Sequence, residues 1–198
     1  MRARGILLAV AIAGLTLPAA AQTASTTNKV TINQRKENQQ DRIGNGIQSG
    51  QLTSGEASKL EKKESELNQE ERDMRRLDGG HLTAADRAAL HQQQNQLSRQ
   101  IYRQKHDAQV ANTNPKSEVG QRERNQQERI AQGIKSGQLT AGEASRLEGR
   151  EAHINREIRR DRAENGGTLT PAERRRINRQ ENRTSRAIYR QKHDAQHQ

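Results

Sequence analysis

Arg176, Arg179, Arg183, Arg186 and Arg190 recur at steps of three and four residues. At about 100° per residue, such a series occupies one face of a helix, away from Ile177, Thr184 and Ile188. A guanidinium is a planar fork that grips phosphate or carboxylate through paired, charge-assisted hydrogen bonds. The chemistry expected of this face is therefore recognition of an anion, and neighbouring glutamates are not expected to offset it. Charge is distributed in the same sense. Residues 32–109 carry about +1 and residues 110–198 about +7, within a total of +11. Such asymmetry points to a polyanion-facing surface on the second half of the chain.

Other residues with chemical potential have plainer uses. The run Ile-Tyr-Arg-Gln-Lys-His-Asp-Ala-Gln occurs at 101–109 and again at 188–196. Tyr102 and His106 fall on one helix face, but no Ser or Cys nucleophile accompanies them at a fixed spacing. The run reads as a helix C-terminus, where Lys105, His106, Lys192 and His193 complement the negative end of the dipole. Tyr102 and Tyr189 are then expected to be half-buried packing residues between modules. His193, Asp194 and His197 have a chelating spacing. Val110 stands at the position matching His197 in the other copy, so only adventitious metal binding is expected there. The chain has no cysteine, which removes thiolate chemistry and disulfides together. No catalytic residue, metal or cofactor is expected, and the chain reads as a non-enzyme.

The elements that must carry these residues come in two copies. Residues 32–109 align without a gap to residues 119–196 at a constant offset, which marks a duplicated structural unit. Each copy carries two versions of a Gly-x-Leu-Thr-x-x-acid motif. The pairs are Thr53 with Glu56, Thr83 with Asp86, Thr140 with Glu143, and Thr170 with Glu173. In each, Thr is the expected N-cap and the acid three residues on closes a capping box. Pro171 suits a first helical position, and the preceding Gly suits the end of the previous helix. The motif also looks like half of a calcium-binding loop. However, Ile47 and Arg75 stand where oxygen ligands would be needed, which favours the capping reading.

The fold class expected is therefore all-α: two tandem copies of a three-helix, helical-hairpin module. Its helices should run over 33–48, 54–77 and 84–107, then 118–135, 141–164 and 171–195. Ile43, Ile47, Leu60, Leu67, Met74, Leu90, Leu97 and Ile101 make a narrow apolar stripe of coiled-coil character. Hydrophobic residues are only 29% of the chain, with no Phe or Trp, so the core should be marginal. Residues 110–118, with Asn114-Pro115, are the expected linker, and 22–31 a flexible leader. Residues 1–21 read as an export signal: Arg2 and Arg4, an apolar run too short to span a bilayer, then Ala19-Ala20-Ala21. The mature chain is expected to be periplasmic or secreted, with no transmembrane segment after signal removal.

The four Leu-Thr-x-x-acid motifs, at Leu52, Leu82, Leu139 and Leu169, resemble the Leu-Thr-x-x-Gln motifs of the Spy/CpxP group of exported helical proteins. This chain has an acid where that group has Gln, and it adds a preceding Gly and a tandem duplication. The resemblance implies a cradle-like helical fold, a homodimer, and action as an ATP-independent chaperone or envelope-stress sensor.

The leading expectation is an exported, non-enzymatic interaction protein of the cell envelope. Its basic helix face would dock an anionic component (lipid head groups, lipopolysaccharide or an acidic polymer) or an acidic protein client, while the first copy extends or forms a homodimer. Nucleic acid is disfavoured, because stacking on bases needs aromatics and only two Tyr are present. One alternative is a chaperone that clasps unfolded chains through its apolar stripes, and another is a structural spacer with no ligand.

Overall fold

The Thr hydroxyls set where the chain turns into helix. In the computed structural model, which describes residues 30–111 and 117–196, six helices follow one another. They are α1 (Ile32–Gln48), α2 (Ser54–Leu77), α3 (Ala84–Lys105), α4 (Glu118–Lys135), α5 (Ala141–Glu164) and α6 (Pro171–Lys192). Every regular element among the described residues is helical. Thr53, Thr83, Thr140 and Thr170 each accept from the backbone N–H three residues on, and Glu56, Asp86, Glu143 and Glu173 each reach back to the Thr N–H. A fifth capping box, Thr31 with Gln34, starts α1. Thr31 is thus part of a helix start rather than of a leader. At the other ends α3 and α6 stop at Lys105 and Lys192, short of residues 107 and 195, with His106 and His193 as C-caps.

The apolar stripes of the two copies face each other. A single core joins Ile43, Ile47, Leu60, Leu97 and Ile101 to Ile130, Ile134, Leu147, Ala187 and Ile188. Smaller clusters close the two ends, one around Ile32, Leu82 and Leu90 and the other around Val119, Ile154, Ile158 and Ile177. The principal contacts cross between copies, α2 against α5 and α1 against α4. Helices of both copies thus contribute to one principal core. The reason is physical: a stripe this narrow leaves a three-helix unit with an uncovered apolar face, and the second copy supplies the cover.

Small residues let α2 and α5 approach closely. The Ser58 hydroxyl donates to the Ser145 carbonyl and the Ser145 hydroxyl donates to the Ser58 carbonyl, each at 2.9 Å. This reciprocity is what a pseudo-two-fold axis through the seam requires. Gly55 faces Ala152 and Gly142 faces Ser65, so the two helices run antiparallel. Close approach also governs the turns. A Cβ on Gly46 would lie 2.6 Å from Leu52 Cδ1, and one on Gly133 would lie 2.6 Å from Leu139 Cδ1. Both leucines are fully buried, so each turn folds its leucine against the preceding helix.

The seam also buries carboxyl groups. Glu61, Glu148, Glu151 and Glu181 have no exposed surface, and Glu64 is 1% exposed. Gln40 Nε2 donates to Glu61 and Gln127 Nε2 donates to Glu148, each at 3.1 Å. Both oxygens of Glu151 are without a hydrogen-bond partner. Burial pushes the carboxyl of Glu148 up to about 8 and those of Glu64, Glu123 and Glu181 up to about 7. Glu61 and Glu151 are raised well above the ordinary value by the same desolvation. Near neutral pH these groups hold much of their proton complement, which is how an apolar seam tolerates them.

Candidate functional site

α6 presents its arginines along an exposed face because Ile177, Glu181, Thr184, Ala187 and Ile188 take up the buried face. Arg176, Arg179, Arg183, Arg186 and Arg190 are all exposed. The structure nevertheless separates Arg176 from the other four. Its Nε donates to Glu157 Oε1, and its Nη2 lies 2.6 Å from Asp161 Oδ2. Asp161 is 2% exposed and Glu157 is 8% exposed, so both carboxylates need a cation beside them. Burial pushes the Glu157 carboxyl up, but hydrogen bonds from Gln180 and Arg176 outweigh it and hold the group below its ordinary value. The expectation that no nearby acid offsets the stripe is therefore corrected at this residue. The compensating acids come from α5, a different helix, which spacing along α6 does not show.

Arg183 stands where the stripe meets a groove between α5 and α6. Arg146, Gly149, Arg150 and His153 line one side, Gln180, Arg183 and Thr184 the other, with Ile154 at the floor. The groove encloses about 590 Å³. Arg146, Arg150 and His153 do not stand out in the sequence. Their steps of four and three along α5 are the same signal that revealed the α6 stripe, but glutamates interleave with them. Only the structure turns those glutamates, Glu148 and Glu151, into the seam.

The repeated Tyr-His pairs do not pack between modules. Tyr102 and Tyr189 are 58% and 60% exposed. Each ring stacks on the His four residues later, His106 or His193, at a centroid distance of 4.2 Å. Each His Nδ1 meets the carbonyl oxygen of its Tyr, at 2.7 Å and 2.6 Å. The pairs therefore close the helix ends locally. Among the described residues no group of three His, Asp or Glu side chains is arranged to hold a metal ion. His197 lies outside the described residues, as do residues 1–29 with the expected signal and most of the leader, and residues 112–116 of the linker. At the start of that linker, Ala111 N–H donates to the Gly50 carbonyl at 2.9 Å, and at its end Ser117 and Glu118 already begin α4. No helix among the described residues is long and apolar enough to cross a membrane.

No family model matches the chain, and neither the curated proteins nor the solved structures contain a significant match to it.

Proposed function

We propose that the chain is an exported, non-enzymatic interaction protein of the cell envelope that docks an anionic component through the basic face of its second copy. The observation that carries this reading is the set of Arg179, Arg183, Arg186 and Arg190, exposed together on α6. Arg176 anchors the same helix to α5 and is assigned a structural role. Exposed guanidiniums without carboxylate neighbours gain most from a partner that supplies several negative charges in a row. Phosphate-bearing lipid head groups, lipopolysaccharide and acidic polymers have that character. The site lies on helix faces and in a shallow groove, which suits docking better than turnover.

Elution of envelope extract from the immobilised chain tests the proposal. Lipid or glycan should leave steeply as salt rises, because screening shortens the reach of surface charge. Mixed polypeptides released only by denaturant would instead support the Spy/CpxP-like chaperone reading. That alternative relies on the apolar stripes, and these are buried between the copies, so it also needs the α2–α5 seam to open. Elution of nothing would leave the spacer.

A further inference from the structure

The two copies form an internal comparison, because each leaves an outer groove between its last two helices. In the first copy the groove between α2 and α3 encloses about 270 Å³, against about 590 Å³ in the second. Particular replacements account for the difference. Lys63 Nζ donates to Gln100 Oε1 at 2.6 Å across the first groove. In the second copy the matching residues are Arg150 and Ala187, so that bridge has no counterpart. Leu97 is replaced by Thr184 and Lys62 by Gly149, and each change removes side-chain bulk.

Charge changes in the same place. Glu66, paired with Lys62 at 3.9 Å in the first copy, is replaced by His153, and Gln96 by Arg183. Three guanidiniums and an imidazole now surround one groove. The nearest carboxylate, Glu157, is engaged by Arg176 and Gln180 and lies 3.9 Å from the His153 imidazole at the groove's rim.

The geometry points to a discrete site in the α5–α6 groove for a phosphate monoester of a membrane lipid, gripped by Arg146, Arg150 and Arg183 with His153 at the rim. This rests on the anion-docking reading above and deepens it. A phosphate monoester carries between about one and a half and two negative charges and three terminal oxygens. It can accept forks from several guanidiniums at once, where a phosphodiester or a carboxylate offers fewer oxygens and a single charge. Arginine stems and Ile154 give the groove an apolar lining beside the charges, which accommodates the group that bears the phosphate. Arg179, Arg186 and Arg190 continue the positive face beyond the groove, so the phosphate should be one presented on an extended anionic surface.

Vesicles of phosphatidylcholine containing either phosphatidic acid, a monoester, or phosphatidylglycerol, a diester, are compared at matched surface charge. The full chain should bind the monoester vesicles about tenfold more tightly, the difference expected of about one additional charge-assisted hydrogen bond. The double variant His153→Glu, Arg183→Gln installs first-copy residues that this fold already carries at the matching positions, and it should erase that preference. Replacing Arg179, Arg186 and Arg190 by Gln should weaken both lipids alike and keep the preference. Equal binding of the two lipids by the full chain overturns the groove site and leaves the arginine-face reading standing. Binding of neither removes both readings. Calorimetric binding of inorganic phosphate with no vesicle binding overturns the membrane source.

Discussion

At the scale of single residues, five arginines that look alike in sequence divide into two kinds. Arg176 neutralises Glu157 and Asp161, whereas the other four face solvent. Arg176→Gln should lower the melting temperature, because buried Glu157 then loses its guanidinium partner and Asp161 keeps only the 3.3 Å contact with Arg160. Arg186→Gln should leave it within about 2 °C, as surface substitutions usually do. Thermal scans of the two variants check this contrast, and equal shifts would refute it. The distinction was not legible in the sequence. Periodicity reports which residues share a face of their own helix, but the acids that pair with Arg176 come from α5. The Thr-centred helix starts were fully legible, because a capping box is satisfied within four consecutive residues.

At the scale of elements, the helices and their order follow from local signals, while their partners do not. The seven-residue spacing of Leu60, Leu67 and Met74 announces an apolar stripe. It does not say that Leu60 joins the core shared with the second copy while Met74 packs within the first, against the cluster of Ile32, Leu82 and Leu90. The glycines were legible only in part. Those before the Leu-Thr motif carry positive φ, +73° at Gly50 and +70° at Gly137, as helix ends favour. Gly46 and Gly133 act differently, by leaving room for Leu52 and Leu139. Gly133→Ala should therefore destabilise the chain by about 1–3 kcal/mol through overpacking, although alanine is the better helix former. Denaturant unfolding would show the sign, and stabilisation would contradict this account of the turn.

At the scale of the whole molecule, duplication makes one principal core whose seam stores protons. An unfolded glutamate releases its proton near 4.5, whereas Glu148 in the fold holds its proton up to about 8. Between those values the folded chain binds more protons than the unfolded one, so stability must fall as pH rises. Glu64, Glu123 and Glu181, raised to about 7, act in the same window. Even one such group implies a loss of about 3 kcal/mol between pH 5 and pH 8, or roughly 6–12 °C in melting temperature for a chain of this size. Glu148→Gln should recover part of that loss at pH 8 and change little at pH 5. A melting temperature that rises with pH would overturn the seam's electrostatics. The same seam explains why composition is an incomplete guide to the core: carboxyl groups that count as charged in the sequence are buried side chains whose protons are held more tightly in the fold.

In the proposed function, the second copy's arginine face docks an anionic surface. Binding of the full chain to phosphatidylglycerol vesicles, titrated with salt, tests it most directly when compared with the triple variant Arg179→Gln, Arg183→Gln, Arg186→Gln. At about 1 kcal/mol for each arginine near an anionic membrane, the variant should bind roughly 100-fold more weakly at low salt, and its binding should depend less on salt. Unchanged affinity with an unchanged salt dependence would contradict the claim.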